Sequence, residues 1–307
     1  MTQLTKADHK LFRGTAAEVH SWMSNKDILK SIGCDFDVNR IPHTLGGREF
    51  PEVQLWHRSD NQNLLGVFGS RRQCIQPETF IQYFRDFCDA SQKEINLDLV
   101  GSLDGGKTFY MASKLTQNQN AELENVGDKT DSWLVVTDYY GESRAPKVMV
   151  LFNELVCTNG MTKQISQRFR AFSHLKEMKF DDVAPVLDSA LTQSKVYSDV
   201  KDKLIHTPIS MDSAKEALRT FFDDPAGESS KVKLLEDIYQ NKLIGGELET
   251  RNGTAWGLMS AATQHSSHSR AGNGERTLRS QLDGSRGYFN TRFMNFLESQ
   301  FLSHAIA

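Results

Sequence analysis

The chain has 307 residues, of which 38% are hydrophobic and 24% are charged, and its formal net charge is −3. This length supports one large domain or two ordinary ones, and the composition is typical of a soluble globular protein. No apolar run reaches the roughly 20 residues that span a bilayer, and the N-terminus lacks a secretion signal, so we expect no membrane association and a cytoplasmic protein. The near-neutral charge argues against a general nucleic-acid coat protein.

Strand patterns dominate before Phe180. Two strands joined by a polar turn are predicted over 54–58 and 64–68, and Pro77 then opens a helix with one apolar face. Alternating residues predict further strands at 95–99 and 109–113, and the apolar runs WLVV and VMVLF predict a second pair at 133–136 and 148–152. The segment INLDLV before Gly101 alternates apolar and polar residues, which favours a half-exposed antiparallel strand.

Helix patterns dominate after Phe180. Ser213 and Glu216 have the spacing of a capping box, and Phe289 to Phe301 carries the strongest apolar stripe. We predict that this stripe is core, and it is also our best candidate for a subunit contact.

These patterns predict an α+β fold with an antiparallel β-sheet core and a packed helix in the N-terminal half, followed by a helical C-terminal part. The predicted organisation is an N-terminal arm over 1–45, a core domain over 46–180 and a helical region over 181–307. The helical region either packs on the core as one domain or forms a domain of its own.

Residues 101–108, GSLDGGKT, match the phosphate-binding P-loop pattern G-x-x-x-x-G-K-[ST]. A P-loop joins a buried strand to a long helix, whereas the segment after Lys107 alternates like a strand. The Asp104-Gly105-Gly106 run has the composition of a tight hairpin turn. We therefore favour a hairpin over a nucleotide-hydrolase loop, for which Asp138 after WLVVT would be the magnesium ligand.

Cysteine and histidine positions give weak signals for other chemistry. Cys157 and His174 could form a thiolate with its base, but a buried structural thiol is the simpler interpretation. The four cysteines form no C-x-x-C pair, so a zinc site or disulfide framework is not expected. His265 and His268 lie at i and i+3 without a third ligand nearby, so we predict no metal and no cofactor.

A basic stretch gives the stronger signal for binding. Between Arg144 and Lys179 there are seven basic residues against two acidic ones, and phenylalanines alternate with the cations. Such a stretch neutralises phosphates and offers rings for base stacking, although a solvated helix face is the alternative. The candidate DNA-binding cations are Arg71, Arg72, Lys147, Lys163, Arg168, Arg170 and Lys176. Trp56, Tyr139 and Tyr140 are candidate stacking or groove residues, with a core position equally open for Trp56.

Several motifs occur together in one order along the chain. They are WHRSD, LLGVFG, QPETF, GSLDGGKTFYMASKL, VMVLFNELVCTNGM, FSH and GTAWGLMSAATQHSSH. This set resembles the phage/plasmid-like protein family, domain of unknown function 932, over about residues 31 to 300. The resemblance implies a phage or plasmid context and a distant similarity to single-strand annealing proteins of the Redβ and RecT type, whose core is a curved antiparallel sheet backed by a helix.

The leading hypothesis is a non-enzymatic protein that binds and anneals single-stranded DNA in recombination, without ATP and through the backbone. The expected partners are single-stranded DNA, further copies of the chain in a ring or filament, and a phage nuclease or host single-strand binding protein. Two alternatives stay open. One is an interaction protein that targets a host factor, and the other is an enzyme that uses Lys107 or Cys157.

Overall fold

The computed structural model describes residues 11–90, 95–115, 130–144, 146–154, 159–164, 184–268 and 274–302. The strands are β1 (Ala16–Glu18), β2 (Val38–Leu45), β3 (Arg48–Arg58), β4 (Leu64–Gly69), β5 (Leu99–Leu103), β6 (Thr108–Lys114), β7 (Thr130–Tyr139), β8 (Lys147–Glu154) and β9 (Asn159–Gln164). The helices are α1 (Asn25–Ser31), α2 (Pro77–Ala90), α3 (Ala184–Ile205), α4 (Met211–Phe222), α5 (Ser230–Asp237), α6 (Ala255–His268), α7 (Gly274–Asp283) and α8 (Ser285–Leu297). The predicted α+β class is confirmed.

The large sheet has the strand order β1-β5-β6-β7-β8-β9, and every neighbouring pair is antiparallel. One face packs on helices from both halves of the chain, where the ring of Phe152 stacks on Tyr197 of α3 at a centroid distance of 3.9 Å. The other face packs on Leu11, Phe12 and two leucines of α7.

The strand predicted over 95–99 is displaced, because β5 covers Leu99–Leu103. It is antiparallel as predicted, but the prediction that it is half-exposed is wrong. Its residues are buried on both faces. The reason is that the N-terminal residues Leu11 and Phe12, together with α7, cover the face that the alternation assigned to solvent. Because these segments are distant along the chain, the alternation of apolar and polar residues around β5 cannot predict that they cover it.

The small sheet has the order β2-β3-β4 and is also antiparallel. On its inner face Trp56 packs on Phe68 at a centroid distance of 4.3 Å and joins the main core. Its outer face is open to solvent at Ile41 and Val67. Helix α2 begins at Pro77 as predicted, and its phenylalanines are buried in the same core.

The first 45 residues contribute to both sheets, because β1 pairs with β5 and β2 pairs with β3. The domain boundaries at 45 and 180 stay predictions. Helix α4 is capped by Ser210, whose side chain accepts a hydrogen bond from the Ser213 amide, so the capping box predicted at Ser213 is wrong by one turn. A capping box that the sequence analysis missed lies at Ser24 and Asp27.

The phenylalanine stripe near the C-terminus is largely covered within the chain. Phe293 is fully buried, and its ring meets Phe221 of α4 edge-on at a centroid distance of 4.8 Å. The core role predicted for this stripe is confirmed. None of the helices in the described part of the chain is long and apolar enough to cross a membrane.

Candidate nucleic-acid interface

The segment GSLDGGKT forms a hairpin, as predicted. Strands β5 and β6 pair directly from Leu99–Ala112 to Leu103–Thr108, and a short 3-10 turn connects them. Gly105 and Gly106 have φ angles of 68° and 94° in this turn. A strand follows Lys107 where a P-loop would have a helix, so the backbone amides of this segment do not form the start of a helix that could hold phosphates.

Both glycines at the fixed positions of this motif, Gly101 and Gly106, have a packing reason within the hairpin. A Cβ on Gly101 would lie 2.2 Å from the Tyr110 ring, and a Cβ on Gly106 would lie 2.8 Å from the Phe36 ring. The Lys107 side chain is exposed at the tip. The main chain of Lys107 is used instead, since its carbonyl oxygen accepts hydrogen bonds from the amides of Tyr140 and Gly141.

Arg58 of the WHRSD motif fastens this turn to the small sheet. Its guanidinium donates to the carbonyl oxygens of Gly105 and Gly33 at 2.9 Å and 3.0 Å, and it lies 4.0 Å from the centroid of the Phe36 ring. It also donates two hydrogen bonds to the Asp60 carboxylate, which lowers the pKa of Asp60. Arg58 is therefore a structural clamp.

Arg72, a predicted DNA-binding residue, packs on two aromatic rings of the small sheet. Its guanidinium carbon is 4.4 Å from the Phe68 ring centroid and 5.4 Å from that of Trp56. It donates to the carbonyl oxygens of Tyr139 and Arg144, and burial lowers its pKa. These contacts hold Arg72 in place, so it supports its neighbours more than it reaches outward.

Arg40 of β2 lies on the same face of the small sheet as Trp56. It lies directly opposite Trp56 in the β2–β3 pairing, and its charge, like that of Arg72, acts on the Cys74 thiol. Arg71 precedes Arg72 in the turn after β4. Arg40 and Arg71 are both exposed, and no carboxylate of the residues that the structure describes lies within ion-pair distance of either. We call Arg40, Arg71 and Arg72 the arginine cluster.

The predicted aromatic residues are buried and do not reach solvent. Trp56, Tyr139 and Tyr140 are at most 2% exposed. The Tyr140 hydroxyl donates to the Ile75 carbonyl oxygen, and burial raises the pKa values of both tyrosines. Trp56 therefore takes the core position that the sequence analysis left open, and the burial of all three rings leaves no face for a base.

Asp138, considered above as a magnesium ligand, is fully buried. One of its carboxylate oxygens accepts a hydrogen bond from the Tyr139 amide at 2.8 Å, and its charge partly offsets the effect of burial on the pKa of Arg72. Its position beneath Arg72, away from any surface, fits a structural counter-charge.

Lys147 lies outside the arginine cluster, in a network of ion pairs around α7. Its ammonium group contacts the Asp283 carboxylate, which also contacts Arg144. Arg279 of the same helix contacts Asp104 and Glu142. Because Lys147 already has a close carboxylate partner that is 12% exposed, it is poorly placed to offer a free charge to DNA.

The family described as Domain of unknown function (DUF932) matches residues 64–291, which is most of the chain. The chain belongs to this family. No curated protein and no solved structure matches it.

The DUF932 match starts at β4, so it includes the hairpin at Lys107 and Arg71 of the arginine cluster, whereas Arg40 precedes it.

Lys163 lies in edge strand β9, opposite Val150. Arg168, Arg170 and Lys176 lie outside the described residues, as do Cys157 and His174.

Sequence reasoning missed Arg40, because residues 1–45 were assigned to an arm. The signal that could have found it is HTLGGREF, in which two glycines separate residues of strand type. Gly46 and Gly47 indeed have φ angles of 60° and 79° in the β2–β3 turn. It also missed the exposed rings Trp22 and Tyr288, which are 74% and 68% exposed.

Histidine and cysteine chemistry finds no support in the described residues, which contain no group of three or more histidine, cysteine or acidic side chains that could hold a metal ion. Cys34 and Cys88 are buried and Cys74 is half-buried. Burial raises the pKa of both Cys74 and Cys88 to about 12. These thiols are therefore poor nucleophiles at neutral pH.

Proposed function

We propose that this protein binds single-stranded DNA through its phosphate backbone and anneals complementary strands without ATP. The observation that carries the proposal is the pair Arg40 and Arg71, which are exposed and have no carboxylate within ion-pair distance among the described residues. Two exposed guanidinium groups without a carboxylate partner among the described residues suit phosphate oxygens, because arginine donates several hydrogen bonds in a fixed plane.

The surroundings of these arginines support the proposal. Arg72 lies on the rings of Phe68 and Trp56 and is bonded to two carbonyl oxygens, so the turn that carries Arg71 is well fixed. A fixed cation loses less conformational entropy on binding than a flexible one. The cluster contains no exposed aromatic ring, which favours contacts to the backbone over base reading.

The annealing step rests on the resemblance to Redβ and RecT-type proteins and on the fold class. The antiparallel large sheet with α2 packed on it is compatible with the sheet-and-helix core of those proteins. The segment 163–179 adds five basic residues against one acidic residue in sequence, and in this proposal it extends the DNA track. We further propose that the protein acts in a phage or plasmid context in the host cytoplasm, as a ring or filament.

The test is binding of a fluorescent oligonucleotide and annealing of two complementary ones by the full chain. The key variant is Arg40→Glu with Arg71→Glu. Its matched control is Lys231→Glu with Lys233→Glu, which reverses two exposed charges on α5 and so changes the net charge equally. Thermal unfolding of both variants establishes that they fold.

We expect the cluster variant to bind roughly tenfold more weakly, or worse, while the control binds like the wild type. Adding ATP and magnesium should change neither binding nor annealing. An equal loss of DNA affinity in the two variants would mean that only total charge matters, and it would contradict binding at the arginine cluster. Absence of single-strand binding by the wild type would contradict the proposed function, and a stoichiometric host protein would then be the partner to seek.

A further inference from the structure

Helix α8 presents a stripe of four exposed residues to solvent. Ser285, Tyr288, Arg292 and Asn295 follow one another at intervals of three or four residues, so they share one side of the helix. The opposite side, which includes Phe293, is buried in the core. Because the buried side anchors the helix, the stripe is a well-fixed surface.

Arg292 is the cation of this stripe. Its guanidinium carbon lies 5.2 Å from the centroid of the Phe221 ring and 5.8 Å from that of the Tyr288 ring, within the range of cation–π contacts. Of the residues that the structure describes, none offers a carboxylate within ion-pair distance of Arg292. The two rings therefore position a guanidinium that no described acid neutralises.

Tyr288 gives the same stripe an open aromatic ring. It is 68% exposed, whereas Trp56, Tyr139 and Tyr140 are at most 2% exposed. A single exposed ring is common on protein surfaces, but this one lies beside the fixed guanidinium of Arg292. We call Tyr288 and Arg292 the α8 pair.

We propose that the α8 pair binds one nucleotide of single-stranded DNA, with the base stacked on Tyr288 and the phosphate bonded to Arg292. This inference rests on the proposed function and adds a base contact to the backbone contacts of the arginine cluster. A nucleotide carries a planar base and an anionic phosphate side by side, so it satisfies the ring and the cation together. Such stacking reads no sequence, because every base has a π-face.

The charges of α8 favour this occupant over other partners. The helix contains two arginines and no acidic residue, so a phosphate meets no repulsion from it. An apolar protein surface would bury the guanidinium of Arg292 without supplying an acceptor, which is unfavourable. A duplex would leave the Tyr288 ring unused, because its bases are stacked on each other. A single strand supplies both groups.

The neighbours of α8 connect the pair with a predicted DNA-binding cation. Helix α8 packs against strand β9, and Lys163 lies in that strand. The α8 pair and Lys163 thus lie on elements in contact with each other. Cations and rings on adjacent elements are what a protein needs to hold successive nucleotides of one strand.

The first experiment measures the affinity of the full chain for two fluorescent single strands of equal length. One strand carries thymine bases, and the other is abasic, so it keeps the sugar-phosphate chain alone. The variant is Tyr288→Ala, and its matched control is Tyr288→Phe, which keeps the ring. Because Tyr288 is exposed, both should fold, and thermal unfolding checks this.

We expect Tyr288→Ala to bind the thymine strand about fivefold more weakly, or worse, and Tyr288→Phe to bind it like the wild type. All three proteins should bind the abasic strand alike. Unchanged affinity of Tyr288→Ala for the thymine strand, or an equal loss on both strands, would overturn the stacking contact. Absence of binding by the wild type to either strand would overturn the proposed function as well, so the two failures are distinguishable.

The second experiment tests Arg292 through the salt dependence of binding to the thymine strand. Arg292→Gln should reduce the slope of log affinity against log salt by about one, because one phosphate contact is lost, while Arg292→Lys should keep the slope. An unchanged slope in Arg292→Gln would overturn the phosphate contact. Binding of polyglutamate that Arg292→Gln abolishes, at unchanged DNA affinity, would assign the stripe to an acidic protein and would also overturn the proposal.

Discussion

Tyr110 lies directly opposite Gly101 in the pairing of β5 and β6, and its ring covers the glycine. The Tyr110 hydroxyl lies 2.7 Å from the Thr15 hydroxyl beyond it, next to the entry of β1. A Cβ on Gly101 would also lie 2.6 Å from the Thr15 carbonyl oxygen. The first glycine of the P-loop-like segment is therefore required by side-chain packing across the strand pair, which accounts for it without a phosphate.

Gly101→Ala should lower the free energy of unfolding by about 1–3 kcal/mol, because the ring and the Thr15 backbone must both move. Gly69→Ala is the matched control in a neighbouring sheet, since a Cβ there meets nothing closer than 4.0 Å. Lys107→Ala should change neither stability nor DNA annealing, because that side chain is exposed. Urea unfolding measures the stability of the Gly101→Ala and Gly69→Ala proteins. A Gly101→Ala protein as stable as the wild type would contradict the packing role of Gly101.

Arg58→Ala should destabilise the protein by about 2–3 kcal/mol, because it removes hydrogen bonds to two carbonyl oxygens and the packing on Phe36. Arg58→Lys should retain only part of the stability lost in Arg58→Ala, because one ammonium group cannot reach Gly33, Gly105 and Asp60 together. The measurement is chemical unfolding at neutral pH. If Arg58→Lys matches the wild type, the planar shape of the guanidinium is not what holds the turn.

The Arg58–Asp60 pair predicts a dependence of stability on pH. The hydrogen bonds from Arg58 lower the pKa of Asp60 below its unfolded value of about 4. Its contribution is therefore present above about pH 4 and is lost as pH falls through the folded pKa. The stability difference between wild type and Asp60→Asn should stay constant from about pH 7 to about pH 4 and shrink as the pH falls further. A difference that does not change with pH would show that the ionised form is not favoured by folding.

Lys147→Ala should lower stability by about 1 kcal/mol and leave DNA affinity unchanged, because Lys147 is paired with Asp283. The same substitution would weaken DNA binding if this lysine contacted phosphate. Thermal unfolding and oligonucleotide binding on one preparation separate the two roles. High salt should reduce the stability difference, since the pair is partly open to solvent.

Cys74 and Cys88 should resist alkylation. Burial is the main reason that the pKa of each thiol is raised to about 12. At about pH 8 the thiolate fraction of such a group is roughly a thousandfold below that of a free cysteine. Peptide mapping after iodoacetamide treatment of the native protein should find both unmodified, with full modification after unfolding. Rapid labelling of Cys74 in the native state would contradict its burial beside Arg72.

The mixed fold class, the hairpin at Lys107, the helix at Pro77 and the core role of the phenylalanine stripe could all be predicted from the sequence. Each depends on residues that are close along the chain: the Asp-Gly-Gly turn, the fixed φ of proline, and the period of a helix. The position of a side chain relative to solvent could not be predicted in the same way. Strand β5 looked half-exposed, and Trp56, Tyr139 and Tyr140 looked available for stacking.

Tertiary structure decided those points because burial depends on which distant segments meet. Leu11 and α7 cover one face of the large sheet, and Arg72 packs on Trp56. Pairing of charges depends on distant segments in the same way, since Lys147 contacts Asp283 across 136 residues. Arg40 likewise lies opposite Trp56 only because β2 pairs with β3. Local sequence thus determined many of the elements, and long-range packing determined which side chains of the described residues are buried or paired.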